Sequence, residues 1–466
     1  MGVRGDERSR GDGGDGIHET PPETYDTVVK ENVLVDSPAG AVPAVAEAIR
    51  VAREHPQRPV RVGIPKDALA SHAPQPAVGD RKPAVPPAQP ASAVDRATDL
   101  LAEADAPVIL AGGGVIKADA SDALRDFAFE YEIPVITTMP GIGSFPEDHE
   151  LSLEWAGMHG TGYANMAITN TDCMLAIGTR FDDRLTGGVE TFAPDADIIH
   201  VDIDPAEISK NVHADYPLIG DARAALRQLY DAMPAAPDAD EWREQVQEWK
   251  AEYPMEYETP DDEPLKPQYV VEQFSDLTPD DTIVCTGVGQ HQMWASQFWE
   301  FTEPRTWVSS HGLGTMGYGA PAAIGAKLAA PDQEVVCFDG DGSFLMTVQE
   351  LSVAVRENLD ITYVILNNEA VGMVRQWQDA FHEGRRMASE YPWIPEFDKL
   401  AEAFGARGFR LEDYDDVEET IQAAREYDGP SVVDAIIDPA ENVYPMVPSG
   451  GDNGLFALNE GHLDQL

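Results

Sequence analysis

The sequence predicts an α/β protein built from successive doubly wound parallel-sheet domains. Short apolar runs alternate with helical spacing: PVILAGGGV (Pro107–Val115), a helix, PVITT (Pro134–Thr138), CMLAIG (Cys173–Gly178) and IIHVDID (Ile198–Asp204). Strands separated by helices in this way read as βαβ units of a parallel sheet. A second series follows an acidic stretch, with TIVCTGVG, TWVSSHGLG, EVVCFDGDG, TYVILNN and SVVDAIID as five more strand candidates. A chain of 466 residues also exceeds one ordinary core and calls for two or three domains.

In chain order, residues 1–24 are Gly-, Arg- and Asp-rich with almost nothing apolar, and are expected to be disordered. Residues 25–75 form a short α/β segment. Its helix spacing covers Ala41–Arg53, and its strand Val60–Ile64 precedes Pro65-Lys66-Asp67. A Pro/Ala linker at 76–92 follows, within the run His72–Ser92. Residues 93–232 make the first doubly wound block, 233–264 an acidic linker, 265–447 the second block and 448–466 a tail.

Acid dominates the composition. Asp and Glu number 83 against 32 Lys and Arg, a formal charge of −51 spread over nearly every part of the chain. Such a surface suits a high-salt cytoplasm, where ions screen self-repulsion, and it argues against nucleic-acid binding. The cysteines Cys173, Cys285 and Cys337 lack metal-ligand or CxxC spacing and read as buried free thiols of a reducing compartment. No apolar run approaches membrane-spanning length, and the first residues lack a signal-peptide core. The expectation is a soluble, cytoplasmic, halophilic enzyme.

The stretch from Glu334 to Trp377, EVVCFDGDGSFLMTVQELSVAVRENLDITYVILNNEAVGMVRQW, carries the most chemistry. A strand runs into Gly340-Asp341-Gly342, a helix follows, and a second strand ends in Asn367-Asn368. Two parallel strands joined by a helix place both ends on one sheet edge, so Asp341 and Asn368 should converge there. Ser343 is a natural N-cap, and the helix start beside it offers N–H groups to an anion. A carboxylate, an amide oxygen and a helix start together suit Mg²⁺ carrying a diphosphate.

GDG, an intervening helix and strand, then NN resembles the diphosphate-binding motif of thiamine-diphosphate enzymes. The continuation NNEAVGMVRQWQ resembles the acetolactate synthase (acetohydroxyacid synthase) large subunit family. The resemblance runs from about Glu23 to Val447 and implies domains of the thiamine-diphosphate enzyme type. It implies a carboligase that decarboxylates pyruvate and joins the two-carbon unit to a second 2-keto acid, pyruvate or 2-ketobutyrate, in valine, leucine and isoleucine biosynthesis. Its cofactors would be thiamine diphosphate, Mg²⁺ and FAD. Asp341, Asn368 and the Ala370 carbonyl would hold the metal. Gln290, His291, Gly314, Met316, Gly340, Asp341, Gly342, Ser343, Asn368, Gly372 and Met373 would line the thiamine diphosphate, with Met316 filling the space between its rings. Lys66, Met373, Val374 and Trp377 match the active-site entrance, where Trp377 helps select the second keto acid. The segment Arg385-Arg386-Met387-Ala388-Ser389 departs from the family pattern, and capture of that acid is expected to differ.

In the first block, GMHG (Gly157, Met158, His159, Gly160), GTRFDDR (Arg180, Asp183, Arg184) and Asp202 with Asp204 resemble the family's FAD-binding segments. The turn Gly112-Gly113-Gly114 permits close backbone approach to a diphosphate. Other readings compete with these. Gly312-x-Gly314-x-x-Gly317 before a helix fits a dinucleotide-binding dehydrogenase with Asp339 on the ribose. His291 alone would pass for a helix cap, and Trp377 for a surface anchor.

Relatives begin with a pyrimidine-binding domain whose Glu hydrogen-bonds the aminopyrimidine ring. Residues 25–75 match only the end of that domain, and residues 1–22 show no counterpart of the Glu segment. The isolated chain is therefore expected to turn over poorly. A full-length paralogue or a separate pyrimidine-binding domain would be its partner, besides a homo-oligomer and a small regulatory subunit. The alternatives are another thiamine-diphosphate 2-keto acid decarboxylase or carboligase, and a non-catalytic truncated cofactor-binding homologue.

Overall fold

A computed structural model describes residues 2–6, 22–55, 57–73, 88–259 and 264–463. They form two compact units, one of the described residues up to 88 with 203–205 and one of all the other described residues.

In the first unit β1 (Gly2–Asp6), β2 (Glu31–Leu34) and β3 (Val60–Pro65) form a parallel sheet in the order β1-β3-β2. The helix Pro38–Arg53 buries Ala48 and Val51 with Val60, Val62 and Ile64. The expected disorder of 1–24 thus gives way at Gly2–Asp6, because strand pairing engages main-chain groups and does not need apolar side chains. Residues 7–21, and 74–87 of the linker region, lie outside the described residues.

The second unit holds two six-stranded sheets, every pairing of which is parallel. The first contains β4 (Pro107–Ala111), β5 (Val135–Thr137), β6 (Ser152–Trp155), β7 (Cys173–Ile177), β8 (Asp197–Asp202) and β9 (Tyr216–Ile219), ordered β6-β5-β4-β7-β8-β9. The strand order reverses between β4 and β7, and helices cover both faces with separate apolar clusters. The second contains β10 (Ile283–Thr286), β11 (Trp307–Val308), β12 (Val335–Gly340), β13 (Thr362–Asn367), β14 (Arg407–Leu411) and β15 (Ser431–Ile436), ordered β11-β10-β12-β13-β15-β14. Its reversal falls between β10 and β12. Every residue of β12 and β13 is buried, as two covered faces require.

Two sequence expectations change here. The stretch 233–264, expected as an acidic linker, carries the helix Asp240–Glu252. Its Trp242, Val246 and Trp249 recur at helical spacing and are buried in the first sheet's cluster, while the carboxylates face outward. The strand β14 escaped the apolar count because it is an edge strand whose Arg407 and Arg410 face solvent. The two sheet domains meet through buried polar contacts. Trp155 Nε1 donates to the Ser296 carbonyl (2.9 Å), and Gln297 Nε2 donates to the His159 carbonyl (2.8 Å). Part of the tail packs too, since Asn453 Nδ2 donates to the Leu185 carbonyl (2.9 Å). All three cysteines are buried free thiols.

Candidate functional site

In open parallel sheets the ligand crevice lies beyond the carboxyl ends of the strands where the order reverses. In the second sheet that point is flanked by the residues after β10 and β12, with those after β13 alongside. Asp341 starts the helix Asp341–Leu345 directly after β12. Its Oδ1 accepts from its neighbour Gly342 N (2.6 Å) and its Oδ2 from Ala370 N (3.1 Å), which ties the GDG turn to the chain after β13. The expected convergence of the two segments is therefore present.

Glu369 makes the bend that returns Ala370 toward Asp341. It sits at φ 55°, a left-handed conformation unusual for a side-chain-bearing residue, and its N–H is held by Asn367 Oδ1 (3.2 Å). The adjacent asparagines do different things. Asn367 Nδ2 donates to Asp434 Oδ1 (2.9 Å) and so fastens β13 to β15. Asn368 Nδ2 donates to Gln290 Oε1 (3.0 Å) and leaves its own Oδ1 with no hydrogen-bond partner among the described residues. Gln290 passes the connection on to Gln376 Oε1 (2.9 Å), whose side chain also grips both main-chain groups of Val443.

Beneath this layer Asp339 is fully buried. Its Oδ1 accepts from Gly340 N (3.0 Å) and lies 3.4 Å from His291 Nε2. Among the described residues, Asp339 Oδ2 and His291 Nε2 have no hydrogen-bond partner. Burial pushes the Asp339 carboxyl up to about 7 and the His291 imidazole down to about 3, so both are driven toward neutrality. Burial likewise raises Asp341 to about 7, against the pull of the N–H groups of Gly342, Ala370 and Glu369. Glycines make room for this packing. A Cβ on Gly287 would lie 2.0 Å from Asp339 Oδ1, and one on Gly372 would lie 1.9 Å from Gln290 Oε1.

Several predicted residues take roles other than those expected. Ser343 is not the N-cap, a position held by Gly340. Its Oγ accepts from Gly317 N (2.9 Å) and fastens the loop bearing Gly314 and Met316. Asp339 lies wedged against Gly287 and Gly319 and offers no face to a ribose, which removes the dehydrogenase reading. His291 makes no cap hydrogen bond at its helix, Gln290–Phe298. On the helix Gly372–Phe381, Met373 packs partly against the core, Val374 is exposed, and Trp377 stands beside Phe381 at 5.2 Å between ring centroids. Arg386 pairs with Asp379 (2.8 Å) and Glu390 (2.6 Å). Lys66 is exposed at the start of the helix Lys66–Leu69 in the other unit. Sequence reasoning missed Gln376 and Asp434. A carboxylate inside the apolar run SVVDAIID was the available signal for the second.

At the first sheet's reversal point, the glycine turn approaches the chain itself. A Cβ on Gly112 would lie 2.3 Å from the Gly178 carbonyl oxygen, and one on Gly114 2.5 Å from Gly178 Cα. That packing accounts for Gly112 and Gly114 without a ligand. A Cβ on Gly113 would meet Pro140 at 3.0 Å. Gly157 sits at φ 120°, with Met158 N donating to the Arg184 carbonyl (2.8 Å). His159 is buried, its Nδ1 3.2 Å from the Pro445 carbonyl, and Gly160 is buried beside it. Burial lowers the His159 imidazole to about 4. Arg180 and Arg184 are exposed and pair with Asp182 (3.2 Å) and Asp183 (3.3 Å). Asp202 ends β8, whereas Asp204 goes with the first unit and pairs with Arg58 (2.8 Å).

Two family profiles cover these domains. The thiamine pyrophosphate enzyme central domain matches residues 94–229, and the thiamine pyrophosphate enzyme C-terminal TPP binding domain matches residues 287–435. Fold and site thus define a thiamine-diphosphate enzyme. The chain is 45% identical to the acetolactate synthase large subunit of Corynebacterium glutamicum over 440 residues, 91% of this chain and 70% of that protein. It is 41% identical to the probable acetolactate synthase large subunit of Methanocaldococcus jannaschii, covering 91% and 74%, and 40% identical to acetolactate synthase 1, chloroplastic, of Zea mays, covering 94% and 71%. The chain belongs to the acetolactate synthase large subunit family.

Proposed function

We propose that the protein works as an acetolactate synthase, decarboxylating pyruvate and joining the two-carbon unit to a second 2-keto acid in branched-chain amino acid biosynthesis. The observation that carries the reading is the convergence of Asp341, Ala370 and Asn368 at the strand-order reversal. Among the described residues, no cluster of three or more His, Cys, Asp or Glu side chains could hold a metal unaided. A cation at Asp341, the free Oδ1 of Asn368 and the Ala370 carbonyl must draw its remaining oxygens from water or from a bound diphosphate. The donor set therefore fits Mg²⁺ with thiamine diphosphate.

When bound, thiamine diphosphate supplies an electron sink for breaking and forming carbon–carbon bonds. The chain's own residues do the holding. Asp341 and Asn368 fix the metal, Gln290 sets the Asn368 amide, and Ser343 anchors the Met316 loop. The exposed side of the helix Gly372–Phe381 bears Val374, with Met373 and Trp377 half-buried beside it, and would receive substrate. A catalytic role for Lys66 rests on the resemblance alone. FAD would take the first sheet's reversal point, where Arg180 and Arg184 stand exposed. A homo-oligomer, a small regulatory subunit, a cytoplasmic location and a halophilic origin complete the proposal. No helix among the described residues is long and apolar enough to cross a membrane.

The test is acetolactate formation from pyruvate in molar KCl with Mg²⁺, thiamine diphosphate and FAD, by the chain alone and with an added pyrimidine-binding domain. Acetolactate in either arm supports the reading. Bound cofactor without product in both arms would replace it with the non-catalytic homologue.

A further inference from the structure

Tyr391 has no place in the motifs read from the sequence, yet its hydroxyl lies in the candidate site. Its Oη occupies the space a side chain at position 342 would need, since a Cβ on Gly342 would be 2.1 Å from it. Gly342 lies inside the GDG turn, next to the carboxylate of Asp341. The tyrosine is half-buried. The hydroxyl itself has no hydrogen-bond partner among the described residues. Its main chain is firmly held. Tyr391 N donates to the Glu369 carbonyl (2.9 Å), Val371 N donates to the Ser389 carbonyl (2.8 Å), and Ala370 pairs with Glu390 as an isolated antiparallel bridge. Residues 389–391 therefore ride on the same short segment, 369–371, that presents Ala370 to Asp341.

We propose that Tyr391 is a cofactor-holding residue whose hydroxyl donates a hydrogen bond to the diphosphate of metal-bound thiamine diphosphate. The inference rests on the thiamine-diphosphate reading of this site and adds a ligand contact to it. A phenol O–H offered to an anionic oxygen makes a charge-assisted bond, stronger than one between neutral groups. Packing alone would explain the ring beside Gly342, but it does not require the hydroxyl.

The substitution Tyr391→Phe keeps the ring and removes only the donor. The full chain and this variant would be titrated with thiamine diphosphate in molar KCl with Mg²⁺, following tryptophan fluorescence. Inorganic pyrophosphate would serve as a second probe. An unchanged melting temperature without ligand would show that the variant folds. The proposal predicts a Kd for both probes raised about tenfold or more. Equal or tighter binding by Tyr391→Phe would overturn it, as would weakening for thiamine diphosphate but not for pyrophosphate. If the unaltered chain bound pyrophosphate but not thiamine diphosphate, the thiamine reading itself would fall, whatever the variant did.

Discussion

Asn367 and Asn368 are neighbours with opposite duties. Asn367 is spent on the scaffold, between Asp434 and the Glu369 N–H, while Asn368 faces Gln290 and keeps an oxygen free. Asn367→Ala leaves buried Asp434 short of a donor and should cost about 1–3 kcal/mol of stability, read by denaturant unfolding. Asn368→Ala should unfold nearly as the parent does yet lose most Mg²⁺-dependent cofactor affinity. The reverse pattern would refute this division of labour. The thiols allow a second test. Burial lifts Cys173 and Cys285 to about 12 and Cys337 well above the ordinary thiol range. At pH 8 the folded protein then holds almost no thiolate, and reactivity returns only as pH climbs toward those raised values. Iodoacetamide should leave all three untouched in the native chain and label all three after unfolding.

Among the elements, the strongly periodic or wholly apolar ones were legible in the sequence. β12 and β13 are covered on both faces and read as apolar runs, and the GDG and NN segments at their ends met as parallel pairing requires. What escaped was structure whose polar side faces water. The helix Asp240–Glu252 hides three inward residues among carboxylates, and β14 carries exposed Arg407 and Arg410 at a sheet edge. The site was legible as a motif but not as a network. Gln376 reaches Gln290 across 86 residues of sequence, a contact that no local pattern encodes. Because Trp242 is core and not linker, Trp242→Ala should destabilise the second unit by about 3–5 kcal/mol. A loss under 1 kcal/mol in denaturant unfolding would return the segment to linker status.

Taken whole, the molecule pairs an ordinary apolar core with a formal charge of −51. Self-repulsion at that charge is a folding cost that dissolved ions reduce, since the Debye length falls from about 10 Å at 0.1 M salt to about 3 Å at 1 M. The melting temperature should therefore rise steadily with KCl into the molar range, and a flat profile would contradict a halophilic origin. The central claim is that the carboxyl edge of the second sheet holds thiamine diphosphate through a metal at Asp341. Calorimetric titration of the purified chain with thiamine diphosphate in molar KCl, with and without Mg²⁺, tests it most directly when Asp341→Ala is run beside it. The account predicts binding that requires Mg²⁺ and disappears in the variant. Binding of equal strength without the metal, or in Asp341→Ala, would contradict it.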